Sequence, residues 1–154
     1  QLASLARHVN DQLALSNEAQ LFVSVFCAIL DLDSNLLHYV NIGHNAPLVE
    51  LPGAAPEFLE QPRNPIAGMV PDLVFRAGKL EFPRGSRLLL YTDGVTEAEA
   101  VGGAQFGEAA MQRSLADPRL NAAGTVQAIV DAVDGFAGSR PQSDDITLLL
   151  IRRL

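Results

Sequence analysis

The apolar positions of this chain keep a helical period at the start, lose it through the middle and regain it near the end. Leu2, Leu5, Val9 and Leu13 recur at spacings of three and four, with Arg7, Asn10, Asp11 and Gln12 largely off that stripe. They predict a helix over residues 2–15. Residues 21–32 are almost continuously apolar and rich in Val, Phe and Ile, which predicts a strand buried on both faces or a long central one. Asp33-Ser34-Asn35 is a turn signal, and a second strand resumes at Leu36–Ile42, so the two form a hairpin. Short strands are expected near residues 47–50 and 57–60, around a Pro52-Gly53 turn. Residues 61–71 carry Pro62, Pro65, Gly68 and Pro71 and read as a loop. A weaker strand over 74–82 leads through Pro83-Arg84-Gly85 to a strongly apolar one, Arg87–Tyr91. Helices follow at 106–115 and 123–136, the second with Val126, Ile129, Val130, Val133 and Phe136 on one side. Residues 146–152 form a last strand, apolar enough to lie centrally. Hairpin-linked strands beside segregated helices give an α+β fold, not a doubly wound parallel sheet.

Composition narrows the function. The 154 residues suit one domain, 1–154, with no repeat or internal boundary. Hydrophobic residues at 48% and charged residues at 19% exclude intrinsic disorder. A net charge of −7, with no basic stripe, argues against nucleic acid as a partner. No apolar stretch reaches the roughly 18 residues of a membrane span, and residues 1–20 lack the pattern of a signal peptide. A cytoplasmic domain with no membrane segment is therefore expected. The single cysteine, Cys27, lies in an apolar run and reads as a small core hydrophobe.

Two acidic clusters carry the chemistry. Tyr91-Thr92-Asp93-Gly94 closes one apolar strand, and Ser143-Asp144-Asp145 opens another. If these strands are antiparallel neighbours, the end of one lies beside the start of the other, and Asp93 and Asp144 meet at one edge. Carboxylates so placed repel unless a cation lies between them or one is protonated. Oxygen ligands suit Mg²⁺, Mn²⁺ or Ca²⁺ rather than Zn²⁺. Gly94 would let the chain turn tightly and offer its backbone carbonyl beside the metal. The other reading is that Asp-Gly and Ser-Asp-Asp are turn and cap residues. His44, at a strand-to-loop corner, has the chemistry of a ligand or a base but reads first as a residue that bonds the loop backbone, and His8 and His38 read as structural. Glu97 and Glu99 read as a solvated face. There is no Gly-x-Ser-x-Gly elbow, and Gly102-Gly103 with Gly107 lacks the lysine end of a phosphate-binding loop.

Taken together, several segments resemble the sporulation stage II protein E type phosphatases of the metal-dependent protein phosphatase (PPM) superfamily. They are Phe22-Val23-Ser24-Val25-Phe26, Leu37-His38-Tyr39-Val40-Asn41-Ile42-Gly43-His44-Asn45-Ala46-Pro47 and Asn64-Pro65-Ile66-Ala67-Gly68. Leu88-Leu89-Leu90-Tyr91-Thr92-Asp93-Gly94-Val95-Thr96-Glu97-Ala98, Gln105-Phe106-Gly107 and Asp144-Asp145-Ile146-Thr147 complete the set. Order and spacing match over essentially the whole chain.

The resemblance implies an αββα sandwich of two antiparallel sheets flanked by helices. It implies two Mg²⁺ or Mn²⁺ ions whose water attacks a phosphoserine or phosphothreonine, with no catalytic side chain beyond that water. Asp93 and Asp144 match the family's ligands, and Asp145 occupies a supporting position. Ser24 stands where the family more often has Thr, and Ile42 where it often has Ala. The substrate implied is a phosphorylated regulatory protein, an anti-sigma-factor antagonist, and the neighbour in the parent chain is a sensor or receiver domain. One departure matters: the family's Gly-Asp-(Tyr/Phe)-(aromatic)-Asp and Asp-Val-x-Gly-His-Gly motifs, with their strands, are absent from this sequence. The chain is therefore expected to be the C-terminal part of a phosphatase domain, inactive alone and pairing with a second copy to cover an open strand. A degenerate, non-catalytic phosphatase fold that binds a partner is the alternative. A nucleotide cyclase with strand-end aspartates is a more distant one, and would not explain the Asn-x-Gly-His-Asn segment.

Overall fold

The computed structural model describes residues 1–15, 17–115 and 119–154. It contains two antiparallel sheets with helices, a mixed α+β architecture in the expected class. The chain divides into two compact units, residues 1–46 with 60–83 and residues 47–59 with 84–154.

The first unit is built on a hairpin. Strands β1 (Val25–Asp31) and β2 (Leu36–Ile42) pair antiparallel from Val25↔Ile42 to Asp31↔Leu36. The turn works because Asp31 accepts hydrogen bonds from the Asp33 and Ser34 amides at 2.9 and 3.3 Å. Asn35 takes a left-handed φ of 60°, which asparagine tolerates. Strand β5 (Gly78–Glu81) pairs with the other side of β2, giving the order β1-β2-β5. β5 is shorter than residues 74–82, the expected span.

Two expectations are corrected here. β1 is neither central nor buried on both faces. It lies at the edge of its sheet, where among the described strands it pairs with β2, and Ile29 is 53% exposed. An unbroken apolar run does not distinguish a central strand from an edge strand that meets neighbours on one side only. Helix α1 (Leu2–Ala14) forms as expected, but Leu2, Ala6 and Asn10 are its buried residues, while Leu5, Val9 and Leu13 are exposed. Asn10 sets that rotation. Its carboxamide receives the Gly68 amide at 3.0 Å and donates to the Val70 carbonyl at 2.9 Å, turning a polar residue inward. Leu2 and Ala6 join Val40, Ile42, Ala67 and Phe75 in this unit's core, with Cys27 packed against it as expected.

The second unit holds strands β3 (Leu48–Glu50), β4 (Glu57–Phe58), β6 (Arg87–Tyr91) and β7 (Leu148–Arg152), in the order β4-β3-β6-β7. β7 lies at the sheet's end, correcting the expectation of a central strand. Leu150 faces the core, while Leu149 and Ile151 are 52% and 42% exposed. The alternation of a strand covered on one face is hidden because its outward positions are also apolar.

Helices α2 (Asp93–Thr96), α3 (Gly107–Ser114) and α4 (Ala122–Ala137) complete the unit. α4 starts where Asn121 accepts the Gly124 amide at 2.8 Å, an N-cap bond. It buries Ile129 and Val133 among Leu48, Leu89, Tyr91, Met111 and Leu115. Arg87, nearly fully buried, pairs with Glu50 on the adjacent strand and donates to the Leu115 carbonyl at 2.6 Å.

Candidate functional site

The antiparallel register of β6 and β7 fixes what meets at their end. Tyr91 pairs with Leu148 as the last rung, so Thr92-Asp93-Gly94 leaves β6 where residues 144–147 lead into β7. Thr92 extends the ladder by one more rung. Its amide donates to the Thr147 carbonyl at 3.1 Å. Its hydroxyl donates to the Asp145 carbonyl at 2.7 Å and accepts the Thr147 amide at 2.9 Å.

Gly94 then closes the approach. A methyl group on it would lie 2.5 Å from the Asp145 carbonyl oxygen and 3.1 Å from that of Asp144. Gly94 lies in the short helical turn Asp93–Thr96 without a positive φ, and the need for glycine here is space for the 144–145 backbone. Asp93, Asp144 and Asp145 are exposed, whereas Gly94 is buried. Asp93 Oδ1 accepts the Gly94 amide at 3.0 Å, and Asp144 Oδ1 accepts the Asp145 amide at 2.7 Å. Gln142 Nε2 donates to the Asp144 carbonyl at 2.7 Å. The structure thus brings Asp93-Gly94 and Asp144-Asp145 to one end of a two-strand ladder.

These donors suit a hard divalent cation in kind but not in number. Among the described residues, no three His, Cys, Asp or Glu side chains converge on a common point that could hold a metal. Two or three carboxylates and a backbone carbonyl do not complete the six to eight oxygens of Ca²⁺ or the octahedron of Mg²⁺ without water or further ligands.

His44 belongs to the first unit. Its Nδ1 lies 3.2 Å from the Ser24 hydroxyl. Asn41 braces this corner: its carboxamide accepts the His44 amide at 2.8 Å and donates to the His44 carbonyl at 2.9 Å. His8 and His38 are exposed.

Two roles escaped the sequence reading. Thr92 stands in the motif that carries the resemblance, but its clasp on residues 145 and 147 was not foreseen. Glu99, read as part of a solvated face, forms an ion pair with Arg140 across 41 positions of sequence.

The chain matches the family described as Stage II sporulation protein E (SpoIIE) over residues 1–154. Protein IcfG of Synechocystis is 27% identical over 99% of this chain and 24% of its own length. Phosphoserine phosphatase RsbP of Bacillus subtilis is 31% identical over 64% of this chain and 24% of its own length. The chain thus spans about a quarter of these curated relatives. Among solved structures, the SiaA-PP2C domain of Pseudomonas aeruginosa superposes with a TM-score of 0.76 at 23% identity, over 92% of this chain and 57% of that one. The manganese-presoaked phosphatase domain of SpoIIE from Bacillus subtilis superposes with a TM-score of 0.64 at 16% identity, over 85% of this chain and 56% of that one. Residues 1–154 belong to the SpoIIE family and have the fold of a PPM-type phosphatase domain.

Proposed function

We propose that residues 1–154 are part of a single metal-dependent phosphatase domain. It removes phosphate from phosphoserine or phosphothreonine on a small regulatory protein of the anti-sigma-factor-antagonist type, in the cytoplasm. The carrying observation is the convergence of Asp93-Gly94 with Asp144-Asp145 at the β6–β7 end, in a chain of this family. A relative named as a phosphoserine phosphatase supports the substrate class, and a neighbour soaked with manganese supports Mn²⁺ or Mg²⁺.

A divalent cation at such a site lowers the pKa of its water and neutralises phosphoryl charge. The chain's own contribution is placement. Asp93 and Asp144 present carboxylates, Asp145 supports them, and the Gly94 carbonyl is a further oxygen on the same edge. Thr92 ties the two backbone segments together before any ion arrives.

With so few donors, the chain by itself would hold one ion weakly and turn over slowly. Two-metal hydrolysis requires ions fixed roughly 3.5–4 Å apart. In this proposal a longer protein supplies the remaining ligands, together with a sensor or receiver domain. A non-catalytic binding module is the second reading, favoured by the same shortage of ligands.

The test is Mn²⁺ titration and phosphoserine-peptide hydrolysis with this chain and with a longer protein containing it. The expected result is weak Mn²⁺ binding and negligible turnover by the chain alone. The longer protein should show Mn²⁺-dependent turnover that Asp93→Asn lowers by about a hundredfold or more, since an amide oxygen is a neutral and poorer ligand. Turnover unchanged by Asp93→Asn and by Asp144→Asn would make these residues turn formers only. A longer protein that is silent with Mn²⁺ but still binds its partner would establish the second reading.

A further inference from the structure

The β6–β7 ladder has opposite chemistry at its two ends. Its last rung, Tyr91↔Leu148, opens onto the aspartates, whereas its first rung pairs Arg87 with Arg152. At about 3.4 Å per residue the two rungs lie roughly 14 Å apart. The turn before β6 and the segment after β7 add Arg84 and Arg153, so this end holds four of the chain's eleven basic side chains. The Gly85 amide donates to the Arg153 carbonyl at 2.8 Å, and the Arg153 amide to the Ser86 carbonyl at 3.0 Å, which extends the ladder through these residues. A cavity of about 130 Å³ opens here, wholly within the second unit, and its lining includes Glu50, Gly53, Gly85, Arg87 and Arg152.

Glu50, Arg87 and Arg152 occupy one row across β3, β6 and β7. On one side of the row Glu50 pairs with Arg87. On the other side Arg87 stands opposite Arg152, and like charges so placed repel. Arg152 is exposed and has no carboxylate partner among the described residues; its Nη1 donates to the neutral Leu120 carbonyl at 3.3 Å. Two guanidinium groups against one carboxylate leave the described lining net positive, on a chain whose net charge is −7.

We infer that this pocket binds a small tetrahedral oxyanion, inorganic phosphate, with Arg152 as its principal donor. The inference stands apart from the phosphatase reading, since it uses none of the aspartates. Glu50 stays with Arg87, so the anion meets the surplus charge instead of competing for one already neutralised. A guanidinium presents paired N–H donors that match two oxygens of one phosphate, a fit that a spherical ion such as chloride cannot make. The volume is far below the roughly 300–1,000 Å³ of pockets for drug-sized ligands, which selects an ion over a nucleotide or a peptide. Gly53 and Gly85, at φ of 78° and 92°, leave two corners of the lining without side chains, in a conformation that other residues adopt only at a cost.

The test is titration of the metal-free chain with sodium phosphate at constant ionic strength, with the amides of Gly53, Gly85 and Arg152 followed by NMR. Phosphate should shift them saturably and bind about tenfold tighter than chloride. Sulfate, of the same shape, should compete for the same amides. Arg152→Gln should weaken phosphate about tenfold, the loss expected for a hydrogen bond from a charged group, and Arg152→Lys should recover part of it. Lys79→Gln, which removes an equal charge from an exposed position on β5, should leave the affinity unchanged. A phosphoserine peptide that shifts these amides while free phosphate does not would overturn the assignment to the free ion. Chloride matching phosphate, equal losses in Lys79→Gln and Arg152→Gln, or shifts confined to other amides would overturn the site itself.

Discussion

Gly94 is constrained by what lies against it. The 144–145 backbone occupies the space that a side chain would need, and backbone cannot swing aside as a flexible side chain can. Gly94→Ala should therefore cost about 1–3 kcal/mol, as overpacking does, measured by urea unfolding. It should also push the Asp93-Gly94 segment away from the 144–145 backbone and weaken Mn²⁺ binding. Glycine in an Asp-Gly pair is legible in the sequence as special, but only the fold distinguishes a turn from a close approach. Tyr91, one rung earlier, is buried in the core, and its phenol is pushed up to about 12, by burial first and by Glu108 second. Its unfolded value is 10, so the unfolded state loses that proton at lower pH than the folded state does. The resulting stability is complete below pH 10 and is lost as pH rises toward 12. Ultraviolet titration of the phenolate alongside thermal melts should show Tyr91 ionising only as the protein unfolds.

Among the elements, the β6–β7 ladder carries the site and the β3–β6 pair anchors it. Arg87 and Glu50 face each other across that second pair, and Arg87 is nearly fully buried. Glu50→Gln removes a carboxylate partner of the buried Arg87 guanidinium and should destabilise the chain by about 1–3 kcal/mol in urea unfolding, while Lys79→Gln on an exposed strand position should change little. Strand and helix positions were largely legible because the apolar periods are clean. β2 and β6 match their expected spans, and α4 extends past its expected limits by one residue at each end. Burial was less legible. The stripe Leu5, Val9 and Leu13 marked α1 as a helix without marking its inner face, because Asn10 rather than a leucine makes the tightest contacts. β1 and β7 read as central because apolar residues occupy their outer positions too. A hydrophobic pattern reports which residues avoid water and carries no record of which neighbour covers them.

On the scale of the whole chain, those two edge strands raise the question of assembly. An exposed apolar edge offers unpaired backbone groups to another strand. We expect the chain to self-associate through β1, so that Ile29→Lys lowers the oligomeric mass seen by light scattering. A wild-type chain that stays monomeric at high concentration would show that β1 needs no cover. The family could be read from Tyr-Thr-Asp-Gly-Val-Thr-Glu-Ala and Asp-Asp-Ile-Thr because those strings hold the site, whereas the Glu99–Arg140 pair joins positions that no local motif links. The order in which the site is made on the ribosome also follows from the fold. Thr92 and Gly94 sit with nothing to clasp until residues 144–152 have been synthesised, more than fifty residues later. A nascent chain carrying only the first acidic cluster has no paired carboxylates to offer a cation. Synthesis order thereby acts as a safeguard: whatever chemistry this edge supports cannot begin on a protein that is only partly made.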